Sequence, residues 1–364
     1  MYRFTITFGI TVLISAPALR AEIGIDPQAP DDPSYFVSDN IRYHHIRYQQ
    51  ENDSIEVIGI SGTDYDSIIN IPPLIQIPGV EAGYPVSQID MNAFKDCVRL
   101  REVGLPYTVS HINDSAFEGC TALEKVTVTG GETPQLLMIG NNVYSGCKAL
   151  ISIPDYPRLF HIGFGAFKNT GFKSFVMPEN CTIVPDNAFE GCTSLESFKF
   201  SDICRQVGNS AFSGCTSLTD INLGDTKATY IGSSAFSGCT ALTSVTIPST
   251  MLTLGTSAFG GCEALRNVTS YAVTAPHAGT DVFPQTAYDN ATLSYPEGAT
   301  GYDNQYTAWH LFDHSIVSSI GDVTVEIASE PVYYTIEGLR VSRPREGSVY
   351  VRVIGSHVDK VIVR

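Results

Sequence analysis

The chain has 364 residues, 43% hydrophobic and only 16% charged, against ~25% charged in an average soluble protein, and its apolar residues run the whole length, which excludes a disordered chain. With 38 acidic against 22 basic residues the formal charge is −16; such a surface repels phosphate backbones, so no nucleic-acid partner is expected. The nine cysteines are an odd number, which in an exported chain raises the question of disulfides with one thiol left over.

Residues 1–21 read as a signal peptide: Arg3 gives the positive start, Phe4 to Ile14 the apolar stretch and Ala16-Pro17-Ala18 the small-x-small cleavage pattern. The mature chain is therefore expected to be secreted or held at the cell surface, in the outer envelope. No cysteine lies near the cleavage site, which argues against a lipoprotein anchor. No other stretch approaches the ~18 consecutive apolar residues of a membrane span.

Residues 22–87 form a linker and an N-terminal cap. Asp31-Asp32 falls in a proline-rich, solvated stretch, and strand-like runs follow at Ile41 to Tyr48 and Ile55 to Ile60. His44 and His45 are adjacent on the first run, so their rings are expected on opposite faces. Ile68-Ile69-Asn70-Ile71-Pro72 reads as a degenerate first repeat, atypical because one of its faces meets water.

From 88 to 270 the chain repeats. Ala93-Phe94, Ala116-Phe117, Val143-Tyr144, Ala166-Phe167, Ala188-Phe189, Ala211-Phe212, Ala235-Phe236 and Ala258-Phe259 recur every 22 to 27 residues. A cysteine stands three residues after each aromatic, with Thr170 the exception, and a leucine three residues later in all but that unit. A residue of the helix-capping set, such as Asn92 or Ser115, precedes each small residue, and Gly, Asn or Asp precedes each cysteine position; the pair predicts one helical turn with a left-handed stop. Alternating segments such as Val126-Thr127-Val128 and Val245-Thr246-Ile247 then predict strands. No unit can bury its apolar side alone, so the units must stack. The fold expected is an α/β-type solenoid with parallel short strands and one-turn helices.

The pattern Leu-x-x-Val-x-Ile-Pro with Ile-Gly-x-x-Ala-Phe-x-Gly-Cys, closest at Leu242 to Pro248 and Ile231 to Cys239, resembles the BspA-like leucine-rich repeats of bacterial surface proteins. The resemblance implies a right-handed solenoid and a role in adhesion. The third and fourth units depart from it, being shortened at Leu150 to Ile153 and at Gly171 to Phe175.

Residues 271–318 read as a C-terminal cap in which Tyr302, Tyr306, Trp309 and Phe312 fall at helical spacing. Residues 319–364 carry three or four short strands and resemble the small C-terminal β module of some secreted proteins, which in certain cases is a type IX secretion sorting signal.

Chemistry is sparse. His310 and His314 have a zinc-compatible spacing, but Leu311 stands where a metalloprotease needs its Glu and no third ligand is evident. No serine elbow, phosphate loop or dinucleotide fingerprint occurs. No enzyme, cofactor or metal is expected. Outward strand positions instead line one short-chained, mostly uncharged face, and Thr127, Ser152, Lys199, Asn222, Thr246 and Thr269 are the candidate binding residues. The partner expected there is a protein or glycan, including a host extracellular protein, bound by a monomer. Strand propensity alone would also favour Thr and Ser at these positions. The alternatives are an envelope structural or carbohydrate-binding accessory protein, and a hydrolase with an unrecognised site. Seven cysteines occupy one inward column as small apolar fillers. Cys181 and Cys204, at equivalent heights on adjacent rungs ~4.8 Å apart, are the one pair placed for a disulfide.

Overall fold

The computed structural model describes residues 53–312 except 62, 64, 77–82 and 306, together with segments at 24–25, 35–38, 40–46, 332–334, 340–341, 349–354 and 357–362. The expected signal peptide, the Asp31-Asp32 linker, Tyr306 and His314 lie outside the described residues.

Each repeat forms one rung of a solenoid, numbered here by its aromatic from rung 1 (Phe94) to rung 8 (Phe259). A rung opens with a short lead strand, turns at the aromatic, and returns through a face strand. Lead strands Gly83–Ile89, His111–Ile112, Met138–Ile139 and His161–Ile162 pair in parallel, as do Ile183–Val184, Gln206–Val207, Tyr230–Ile231, Thr253–Leu254 and His277–Ala278. Face strands form three sheets: Ile68–Asn70 with Glu102–Pro106 and Lys125–Thr129; Ser174–Val176 with Ser197–Lys199; and Asp220–Asn222 with Ser244–Ile247, Asn267–Ser270 and Thr292–Ser294. The degenerate segment at Ile68 thus does pair as a face strand.

The aromatic segment departs from the expected helical turn. The residue read as a helix cap is itself left-handed, with φ of 59° at Asn92, 58° at Ser115 and 53° at Ser257, and a second left-handed residue precedes each cysteine position, as at Asp96 (58°) and Gly119 (75°). Between them the amides alternate. Ala93, Lys95 and Cys97 donate within the rung, to Asp90, Asn92 and Phe94, whereas Asn92, Phe94 and Asp96 donate across to the carbonyls of Asp114, Ala116 and Glu118 at 2.7 to 3.1 Å. A helix would consume every amide internally; here the repeated reversals of φ free every second one for the neighbouring rung. Glycine after the lead strand answers a different need, because a Cβ at Gly163 or Gly255 would lie 2.4 Å from backbone of the preceding rung.

The aromatics stack along the axis at 5.1 to 5.9 Å between centroids, with their planes nearly parallel except at Phe167–Phe189, where they differ by 25°. Phe283 continues the stack, 5.2 Å from Phe259, so the ladder runs one rung beyond the eight repeats read from the motif. The ninth rung closes through helix Gln285–Asn290 instead of a cysteine turn.

The ends are sealed by different devices. At the N-terminal end, Ser54–Ile60 pairs in parallel with Gly83–Ile89 and antiparallel with Ile41–Ile46. His44 and His45 do face apart, to Glu56 (3.5 Å) and Asp53 (3.2 Å). At the other end Trp309 packs edge-on against Phe283 and its indole N–H donates to the Pro276 carbonyl at 2.8 Å. The helix expected across 302–312 is only a 3-10 turn, Ala308–Leu311, because Thr307 is extended (φ −118°) and Tyr302 is held separately, its hydroxyl 2.7 Å from Ser270 Oγ. Four strands at 340–341, 332–334, 349–354 and 357–362 form a separate antiparallel sheet in that spatial order.

Phe212 is wholly buried between Phe189 and Phe236. Phe212→Ala should cost about 3 to 5 kcal/mol, whereas Thr246→Ala on the open face should stay within about 0.5 kcal/mol. Thermal melts of the two variants check the register; equal melting temperatures would contradict it.

The candidate binding face and its interruption

The face strands position the candidate residues unequally. Asn222, Thr246 and Thr269 lie in direct register on one sheet, with Ser294 continuing the row. Lys199 is opposite Val176 on a second sheet, and Thr127 opposite Gly104 on a third. Ser152 is on no strand. Lys199, Asn222 and Ser152 are exposed and the three threonines half-buried. The Asn222 carboxamide oxygen accepts the Gly224 amide at 2.9 Å. Beside rungs 1 and 2 the face is edged by cross-rung ion pairs, Lys125–Glu102 at 2.8 Å and Arg101–Glu124 at 3.0 Å; exposed pairs of this kind contribute little to stability, but they neutralise that end of the row. Away from the face, burial and then the Asp90 carboxylate push Glu56 up to about 7. Its neutral form is favoured in the fold, so the cap loses support as pH rises from the ordinary carboxylate range through about 7.

The face breaks at rung 3, although that rung keeps the length of the others: Tyr156 follows Leu150 by six residues, as Pro248 follows Leu242, and Pro154 and Asp155 stand where rung 7 has Thr246 and Ile247. The shortening expected from the sequence at this rung is therefore not found; the segment makes no strand because Pro154 has no N–H to donate to a ladder. Tyr156 stands where other rungs have Pro106, Pro178 or Pro248, accepting the same closing hydrogen bond, from Leu159 at 2.9 Å, and its ring turns inward to fill the space. It is 3% exposed, and its hydroxyl has no hydrogen-bond partner. Between residues 152–159 and 174–179 lies an open cavity of about 650 Å³. The lead-strand column is interrupted one rung later. Amides of Gly163 and Gly208 donate to the preceding lead strands at 2.8 Å, but the equivalent residue of rung 5 is Pro185, which has no N–H to donate.

The cysteine column is more than filler. Each thiol from Cys120 onward donates to the carbonyl of the preceding rung's aromatic: Cys120 to Phe94 at 3.0 Å, Cys215 to Phe189 at 3.1 Å, Cys262 to Phe236 at 3.2 Å. Thr170 also has a donor, but its hydroxyl bonds the carbonyl of its own rung's aromatic, Phe167, at 2.9 Å, so the substitution keeps the size and interrupts the cross-rung series at rung 4. Spacing identified the column; only the carbonyl positions reveal its donors. Burial pushes the thiols of Cys181, Cys192, Cys204 and Cys215 up, Cys204 to about 11 and Cys181 to about 12, which suppresses the reactive thiolate. Cys181 and Cys204 are free thiols in the structure, facing the carbonyls of Leu159 (3.6 Å) and Gln206 (3.7 Å). His310 sits on the 3-10 turn with Nδ1 against the Thr307 carbonyl, which occupies that nitrogen.

Parallel rungs with in-register short strands, a buried leucine column and an aromatic spine define a leucine-rich repeat solenoid. A family model described as the BspA-type leucine-rich repeat region matches in six copies over residues 76–193 and 160–288, and the chain belongs to that family. Among solved structures it is similar to a leucine-rich repeat protein from Bacteroides ovatus, 30% identical over 72% of each chain with a TM-score of 0.55. A leucine-rich cell surface protein from Faecalibacterium prausnitzii is 19% identical over 81% of this chain and 97% of its own, with a TM-score of 0.48. The T. pallidum leucine-rich repeat protein is 22% identical over 61% and 87%, with a TM-score of 0.42. A search of curated proteins returns no match.

Titration of unreduced, denatured protein should find nine thiols, the number that are free here. A count of seven would instead establish the Cys181–Cys204 disulfide that the register allows.

Proposed function

We propose that the chain is a non-catalytic, secreted or surface-exposed protein of the bacterial envelope that binds a protein or glycan through its face strands, in adhesion or contact with a host. The observation that carries this reading is the four-strand sheet of rungs 6 to 9, on which Asn222, Thr246, Thr269 and Ser294 present one uninterrupted row of small polar side chains in register. Solenoids use such extended faces for recognition, and a row of amide and hydroxyl groups suits the polar backbone of an extended polypeptide or the hydroxyls of a glycan. The net charge of −16 keeps the partner away from polyanions. Lys199, Thr127 and Ser152 stand on other parts of the face, and in this reading they extend the contact without being its centre. Secretion follows from the leader at residues 1–21, and the antiparallel sheet at 332–362 is the candidate for export or attachment.

Binding to a panel of immobilised extracellular-matrix proteins and glycans tests the reading. Asn222→Arg with Thr246→Arg places two long cations on the row and should weaken binding of any captured ligand about tenfold or more. Unchanged binding by that variant would move the site off these strands.

A further inference from the structure

The interruption at rung 3 leaves two segments that a regular repeat would hydrogen-bond to each other. Among the described residues no backbone bond joins 151–156 to Lys125–Thr129 on one side or to Ser174–Val176 on the other. Ser174–Val176 pairs only with Ser197–Lys199, so its other edge presents unpaired amides and carbonyls to the cavity of about 650 Å³ that it lines. Such an edge is a template for another strand. The cavity wall is apolar, with Ile153, Leu159, Val176 and Met177, and Val176 is 67% exposed. The charged residues lining it are Asp155 and Glu179, both exposed, with no Lys, Arg or His among them.

We propose that this groove is a docking site for an extended peptide that adds as a strand to the open edge of Ser174–Val176, placing apolar side chains against Ile153 and Val176 and basic ones beside Asp155 and Glu179. Main-chain pairing supplies affinity and the alternating side chains supply selectivity. The occupant is a strand-forming segment with alternating apolar and basic residues, because the open edge rewards backbone pairing and the carboxylates at the rim reward positive charge. The site rests on the reading of the chain as a binding protein but not on the row at Asn222 and Thr246, which lies on a different sheet.

Fluorescence anisotropy on the full chain with a labelled, capped peptide of alternating valine and lysine is the test. The peptide should bind saturably below about 1 mM. Asp155→Lys with Glu179→Lys should weaken it about tenfold or more, and methylation of alternate backbone nitrogens of the peptide should weaken it similarly by removing its strand donors. Both substituted residues are exposed, so an unchanged circular-dichroism melt certifies the fold of the variant. Absence of saturable binding, equal affinity for the charge-reversed variant, or equal affinity of the methylated peptide would each overturn the proposal. The Asn222→Arg/Thr246→Arg variant should bind the peptide as the wild type does, so a failure here and a failure of the row are read separately.

Discussion

Every second amide of the aromatic turn donates to the next rung, and on that alternation the remainder of the molecule depends. It requires two left-handed residues per rung, because only reversals of φ turn successive N–H groups alternately along the chain and across it. The cross-rung bonds at the aromatic position run unbroken from Phe94 to Ala116, Phe117 to Val143, Tyr144 to Ala166, Phe167 to Ala188 and onward to Phe259 with Val282. The same spacing stacks the rings and brings each thiol under a carbonyl. Both strand columns are broken somewhere, yet this column is not, so it holds the rungs in register where the strands cannot.

That division of labour explains how the face acquires its variety. A rung whose turn is anchored can give up its face strand, as rung 3 does where Pro154 and Asp155 replace strand residues, or replace a donating glycine by proline, as rung 5 does at Pro185, without unthreading the stack. The cost is local: an open cavity, an inward tyrosine with an idle hydroxyl, and exposed side chains such as Ile151 and Val176. The face strands are also unpaired between Ser197–Lys199 and Asp220–Asn222, and from rung 6 onward they present a regular polar row. Variation is thereby confined to the column whose geometry is free to change, and stability rests on the column whose geometry is not.

Much of this was legible in the sequence. The aromatic, cysteine and leucine columns follow from period alone, and so do the outward positions of Asn222, Thr246 and Thr269. The helical turn was misread because Ser and Asn serve equally as helix caps and as residues tolerant of positive φ, and spacing cannot tell the two apart. Phe283 escaped because neither cysteine nor leucine follows it at the repeat spacing; a six-residue helix replaces the turn. The role of the thiols was hidden by size, since a small apolar filler and a weak donor have the same volume. The grouping of the face into three sheets depends on which backbone groups meet across rungs, and only the departure from the motif after Leu150 hinted at it.

Native-state hydrogen exchange, resolved by residue, tests the primacy of the turn column most directly. The amides of Phe94, Phe117, Tyr144, Phe167, Phe189, Phe212, Phe236 and Phe259 should form the most protected set, with protection continuous through rungs 3 to 5, while those of Ile151 to Ile153 exchange fast. Rapid exchange of Tyr144 and Phe167, or protection that falls into two independent blocks on either side of rung 4, would contradict it.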